Sequence, residues 1–447
     1  MPMPDSPGDE STQNDNTNRI MASPSGRMLR FLGEQLGSRP FPSLYLPQTF
    51  AALRHRNYRL WFIGQLVSLV GTWMQTTAQG YLIFELTHSP AYLGYVGFAT
   101  GVPTWLFMLY AGVIADRRSK RNIIVMTQAV MMIPAFILAA LTFLGWIQSW
   151  HIIVLALALG VATAFDAPAR QSFVIEMVDR EDLGNAIALN STMFNMATVV
   201  GPAIGGITYV LVGPAWCFTI NGISFMAVIT SLLLMQVAPP TLRPHHTAAL
   251  EDLKEGLRYV GSNLMIRTLI TVACVVSLFG LAYMTLIPAW AVTVLGGDAT
   301  TNGWLQSARG LGALSGALLI ASLGAFKLRG KLLSVSLFVF PVILLFFAGV
   351  RWLPLSLLTL AGVGLWVMIL FNLANTLVQT LVSDELRGRV VSLYTFSFFG
   401  LMPLGALLTG WLAEWIGEPN TLVLSALISL IFAAWLWIRV PQLRALE

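Results

Sequence analysis

A chain of 447 residues that is 56% hydrophobic and only 11% charged carries more apolar surface than a soluble fold can enclose. Its net charge of +5 would suit a nucleic-acid partner, but the bases sit at the ends of apolar stretches, as the positive-inside bias of membrane proteins places them. A mean hydropathy of +0.72 therefore excludes a soluble enzyme or nucleic-acid binder and points to a polytopic membrane protein, with the lipid bilayer as its first partner.

Residues 1–50 are rich in Ser, Asn, Asp, Pro and Gly and read as a disordered cytoplasmic tail. Within it, Met28, Leu29, Leu32 and Leu36 fall at helical spacing beside Arg27 and Arg30, a pattern compatible with a short interfacial helix. The tail lacks the basic-then-apolar order of a cleaved signal, so the first membrane span is expected to act as the targeting signal.

Apolar stretches of about membrane length follow, with spans expected over 59–84, 92–115, 122–144, 151–172, 186–211, 215–237, 264–292, 302–325, 331–350, 354–381, 389–414 and 419–438. The expected fold is all-α, with twelve transmembrane helices in two six-helix halves. One half would occupy 51–237, a cytoplasmic linker 238–263 and the second half 264–447.

Bases fall in alternate loops. Arg54, Arg56 and Arg59 precede the first span, Arg117, Arg118, Lys120 and Arg121 follow the second, and Lys327, Arg329 and Lys331 follow the eighth. Arg387, Arg389, Arg439 and Arg444 complete the series, which places both termini in the cytoplasm. The linker carries Glu251, Asp252, Lys254, Glu255 and Arg258 at spacings that suit an amphipathic helix.

The halves echo each other. Gly112 and Gly316, Leu189 and Leu393, and Gly201, Gly206 and Gly213 with Gly405, Gly410 and Gly417 all share one offset. Parallel repeats of this kind place a substrate path between the halves, near the membrane midplane.

Polar residues inside spans mark the candidate machinery. The first span holds Gln75 and Gln79, the fifth Asn195, and the tenth Asn372 and Asn375. Their three- and four-residue spacings put each set on one helix side, where they form interhelical hydrogen bonds or line a cavity. Glu85, at the outer end of the first span, is read as interfacial or as a point of proton entry.

Arg309 is the one clear base inside a span. It must snorkel, find a structural partner or attract an anionic substrate. Asp166 lies in the inner third of the fourth span, close before Pro168 and Arg170. It either pairs structurally with Arg170 or Arg117, or exchanges a proton during a transport cycle.

The run Gly112-Val-Ile-Ala-Asp116-Arg117-Arg118-Ser-Lys120-Arg121 closes the second span and opens the third. It resembles the signature loop of the major facilitator superfamily, a resemblance that extends over nearly the whole chain. The resemblance implies that Asp116 and Arg117, with Arg121, Asp166 and Arg170, form a conformational latch. At the equivalent place in the second half the aspartate is absent.

Gly201-Pro202-Ala-Ile-Gly205-Gly206 in the fifth span resembles the antiporter motif of that superfamily's drug:proton exporters. Pro168-Ala-Arg170-Gln171, Val178-Asp-Arg-Glu-Asp-Leu183 and Asp384-Glu-Leu-Arg387-Gly-Arg389 are similar to the bacterial transmembrane secretion effector branch, which includes the enterobactin exporter. That resemblance implies a proton-linked exporter of siderophores or drug-like compounds, with a facilitator or importer of the same fold as the alternative; a functional monomer in the bacterial inner membrane is expected.

No enzyme is expected, because no nucleophile–base pair or Walker-type loop is visible. No cofactor is expected. Cys217 and Cys274 lie in apolar stretches and read as buried thiols, and no His/Cys spacing suits a metal.

Overall fold

The computed structural model describes residues 50–236, 249–281, 283–323 and 328–446, apart from the side chains of Asp116 and a few helical neighbours. The tail pattern at Met28, Leu29, Leu32 and Leu36, and Lys327, lie outside the described residues.

The described chain is helical throughout. The first six long helices are α1 (Arg56–Thr87), α2 (Pro90–Arg117), α3 (Lys120–Phe143), α4 (Ser149–Phe173), α5 (Leu183–Val212) and α6 (Pro214–Leu233). After the linker helix α7 (Ala249–Ser262) come α8 (Leu264–Val275) and α9 (Tyr283–Ala289). The chain ends with α10 (Ala299–Leu323), α11 (Arg329–Gly349), α12 (Leu353–Leu381), α13 (Asp384–Ile416) and α14 (Glu418–Arg439).

Among the described residues, nine helical segments are long and apolar enough to cross a membrane. Their outward faces carry large apolar side chains with no protein cover, among them Leu211 at 75%, Ile438 at 74% and Leu358 at 69% exposure. Only a lipid solvent makes such a surface stable.

The span expected over 264–292 is one apolar segment, Leu264–Val294, whose helix carries two local irregularities. A π-turn at Val276–Gly280 separates α8 from α9, and a second at Trp290–Val294 follows α9. Pro288, inside α9, withholds a backbone donor just before the second π-turn. Hydropathy cannot register such a turn, because the side chains stay apolar throughout it.

Helix pairs approach closely because small residues line their contacts. Lipid tails are as apolar as Leu, so the driving force is close van der Waals packing. A Cβ on Gly312 of α10 would lie 1.8 Å from the Ala361 carbonyl oxygen of α12, and one on Gly364 would lie 2.2 Å from that of Arg309.

α5 meets α10 in the same manner. Gly303 faces the Pro202 carbonyl, Gly310 the Thr198 carbonyl, and Ser307 Oγ donates to the Val199 carbonyl at 2.6 Å. α2 meets α13 through Gly94 against Gly410 and Gly101 against Pro403. There Ser89 Oγ also donates to Glu414 at 2.6 Å.

Two glycines make the sharp reversals between long helices. Gly213, at φ 94°, joins α5 to α6, and Gly417, at φ 80°, joins α13 to α14. Side chains rarely adopt that backbone region. The two positions belong to the repeated glycine set read from the sequence.

The linker helix packs on α13. Arg389 reaches Glu255 at 2.5 Å, and Gly256 faces Leu393.

The tight α10–α12 seam yields a stability prediction. Gly312→Ala should destabilise the protein by about 1–3 kcal/mol through overpacking. Gly184→Ala, where the added atom meets nothing within 4 Å, should be tolerated. Thermal unfolding in detergent checks both, and equal melting temperatures would contradict the seam.

Candidate transport site

Among the described residues Asp166 is the most enclosed carboxylate, with its side chain 2% exposed in α4. One oxygen, Oδ1, accepts hydrogen bonds from Thr127 Oγ1 at 2.8 Å and Gln128 Nε2 at 3.1 Å, both from α3. The other, Oδ2, faces Arg170 Nε at 3.5 Å, one turn along the same helix. A buried carboxylate needs such partners, because the desolvation cost of an unpaired one is several kcal/mol.

The other members of the expected latch lie elsewhere. Arg117 is exposed at the end of α2. Arg121 donates to the Leu232 and Leu233 carbonyls at 2.7 and 3.1 Å, capping the end of α6. The side chain of Asp116 lies outside the described residues, and a Cβ on Gly112 would meet nothing within 4 Å.

Gly201-Pro202-Ala-Ile-Gly205-Gly206 forms a packing node within an unbroken α5. Gly201 abuts Trp73 and Gly205 abuts Met74, both in α1. Gly206 abuts Ala299 and Thr300 at the start of α10. Any side chain at these positions would push α1 or α10 away.

The polar set divides. Gln75 is 2% exposed and accepts from Asn221 Nδ2 of α6 at 2.7 Å, so it clamps α1 to α6 rather than lining a cavity. Gln79 is likewise buried. Asn195 is half-buried and turns its amide back to the Ser191 carbonyl at 2.8 Å. Asn372 and Asn375 lie half-buried along α12, where Gln379 Nε2 donates to Asn375 Oδ1 at 3.2 Å.

Arg309, near the middle of α10, points inward rather than snorkelling to the surface. Its guanidinium carbon stands 6.0 Å from the centre of the Trp73 ring of α1, and Nη1 lies 3.9 Å from Met284 Sδ of α9. One turn back, Gln306 Nε2 donates to Asn302 Oδ1 at 3.1 Å, and a further turn on, Asn302 Nδ2 donates to the Thr77 carbonyl at 3.3 Å.

At the other end of α1, Glu85 is exposed and accepts a short hydrogen bond from Tyr209 of α5. Tyr81 packs edge-on against that tyrosine, with ring centres 5.0 Å apart.

Glycine-seamed apolar helices make a membrane bundle, and the comparisons identify its class. Residues 47–447 match the family described as transmembrane secretion effector. The chain belongs to this family. It is a membrane transporter of the major facilitator superfamily and not an enzyme.

Its relatives are similar along nearly their whole length. The chain is 23% identical to the staphyloferrin A transporter of Staphylococcus aureus, over 81% of this chain and 91% of that one. It is 27% identical to the multidrug efflux pump Tap of Mycobacterium tuberculosis, over 86% and 93%. With the enterobactin exporter EntS of Escherichia coli it shares 26% identity over 87% and 93%. The fold matches a bacterial homolog of the human lysosomal transporter Spinster, solved in an inward-facing, unoccupied conformation. The TM-score is 0.68, at 14% identity over 87% of this chain and 98% of that one.

Several partners in this transporter were not legible beforehand. Thr127 and Gln128 sit among apolar α3 residues, and only helix packing brings them to Asp166. Asn221 and Asn302 likewise gave no signal beyond being polar within a span.

A further cluster lies outside the spans. Asp182, just before α5, receives His55 Nε2 at 2.6 Å and Arg54 Nη2 at 2.7 Å. Nearby, Asn185 Oδ1 accepts from the Ala52 amide at 2.9 Å, so the chain entering α1 is tied to the start of α5. The hydrogen bond from His55, and next the Arg54 guanidinium, hold the Asp182 carboxyl below its usual range despite partial desolvation.

A depressed carboxylate stabilises the fold fully above its unfolded pKa of about 3.9, and that stability is lost as pH falls through the lower folded value. Wild type should therefore melt above Asp182→Asn at neutral pH. The gap should persist down to the ordinary carboxylate range and close only below it. A gap that stays constant into strong acid would assign the difference to packing.

Proposed function

We propose that this transporter is a proton-coupled exporter of a small organic molecule, a siderophore or a drug-like amphiphile. On this reading it resides in the bacterial inner membrane as a functional monomer, with both termini cytoplasmic. The names of the relatives support the cargo class, and the loop bases support the orientation.

The reading takes twelve spans in two halves. The nine apolar segments are joined by α1, α2 and α10, which are 32, 28 and 25 residues long. At 1.5 Å per residue each is long enough to cross a bilayer. Repeated glycines in equivalent surroundings support the halves. Gly206 abuts the start of α10, while its counterpart Gly410 abuts Pro90 and Gly94 at the start of α2.

The observation that carries alternating access is the position of the seams. The closest contacts of α5 with α10 and of α2 with α13 involve residues 198–206 with 299–310 and 89–101 with 403–414. All lie in those halves of the helices that point away from the base-rich loops. Such a molecule is sealed at its outer end, as expected of an inward-facing state, and export requires these seams to part. Asp166, enclosed on the opposite side, is the proposed coupling carboxylate, with Glu85 as a proposed outer proton relay.

Proteoliposomes with an imposed pH gradient test the reading. Siderophores or ethidium should drive proton movement in wild type, and Asp166→Asn should abolish it at least tenfold. Cargo flux indifferent to the gradient would make the protein a facilitator and Asp166 structural.

A further inference from the structure

Resting on the transport reading, we infer that Arg309 is the cargo-binding cation, and that the cargo it selects is an anion carrying a flat aromatic or conjugated group. The inference starts from an imbalance of charge. Among the described residues no carboxylate lies within ion-pair distance of Arg309, although the residue sits mid-way along a membrane helix. Its Nε is buried and has no hydrogen-bond partner.

Asp166 supplies the contrast within the same molecule, with both oxygens engaged. The neighbours of Arg309 are neutral: the Trp73 ring, Met284 Sδ and the Tyr283 hydroxyl. The closest amides on its helix are already committed, since Asn302 and Gln306 bond to each other and Asn302 bonds to the Thr77 carbonyl.

A guanidinium held in a low-dielectric span without a counter-charge is costly. A cargo carboxylate or phenolate would fill the vacancy, with bidentate geometry open to the planar fork. The aromatic requirement comes from the wall beside it. Trp73 meets Phe194 edge-on, with centroids 6.1 Å apart and planes at 75°. Phe194 remains 46% exposed, so a planar solute has an open aromatic corner to enter next to the charge.

Isothermal titration calorimetry of the full chain in nanodiscs tests this without any gradient. The probes are 1-naphthoate, its neutral counterpart 1-naphthamide, cyclohexanecarboxylate and inorganic phosphate. Wild type should bind 1-naphthoate about tenfold more tightly than 1-naphthamide, as a charge-assisted pair implies. Cyclohexanecarboxylate and phosphate should both bind more weakly than 1-naphthoate.

Arg309→Gln should erase the preference for naphthoate over naphthamide while leaving the melting temperature unchanged. Arg309→Lys should keep part of the preference. Should Arg309→Gln not fold, Trp73→Leu serves instead, and it should remove the advantage of naphthoate over cyclohexanecarboxylate.

Equal affinity for the acid and its amide in wild type would overturn the inference. So would a preference that survives Arg309→Gln, or phosphate binding as tight as naphthoate. Failure here would leave gradient-driven export standing, whereas loss of proton coupling in proteoliposomes would leave this binding result untouched.

Discussion

Contact between backbones, made where glycine removes the side chain, is the constraint on which the rest of this structure depends. In water, burying Leu and Ile would hold helices together. In lipid that gain vanishes, so α5 reaches α10 and α2 reaches α13 only through positions such as Gly206, Gly303, Gly94 and Gly410. Interhelical hydrogen bonds add modestly, on the order of 0.6 kcal/mol each. Ser307 to Val199 and Ser89 to Glu414 are of this kind. Seams built from shape rather than from strong bonds close well and also separate without breaking a costly network, which is the property a transporter's gate requires.

Charges inside the bundle are treated in two ways. Asp166 is surrounded by donors from a neighbouring helix and by its own-helix arginine. It is stable where it is, and it is linked to the relative placement of α3 and α4. Arg309 is surrounded by aromatic and thioether groups and carries an unengaged Nε. The first charge is satisfied by the protein, whereas the second meets no carboxylate among the described residues. That asymmetry separates a group that reports helix position from the one proposed to receive a solute.

Outside the membrane, order returns to familiar electrostatics. Asp182 gathers His55 and Arg54, Lys120 pairs with Glu176 at 2.6 Å, and Glu255 of the linker helix meets Arg389. Each brace joins segments distant in sequence at the base-rich end of the bundle, where water screens charge and the exposed pairs contribute little individually. Their value lies in registering the helix ends rather than in raw stability.

The amino-acid sequence by itself determined that the chain lives in lipid, where its long helices run, and which family it resembles. These properties follow from hydropathy, loop charge and contiguous motifs, all local along the chain. It also exposed Asp166 and Arg309 as unusual, because a charge within a span stands out against apolar neighbours. Partner choice was decided only by the tertiary structure. It set Thr127 and Gln128 beside Arg170, rather than Arg117, around Asp166, sent Arg121 to the end of α6, and gave Gln75 the interhelical role, bonded to Asn221. It likewise placed two π-turns within the seventh span that no change in hydropathy marks. The physical reason is common to all of these. Which face of a helix meets which neighbour depends on how closely two backbones can approach, and that distance is a property of pairs of helices rather than of any one segment.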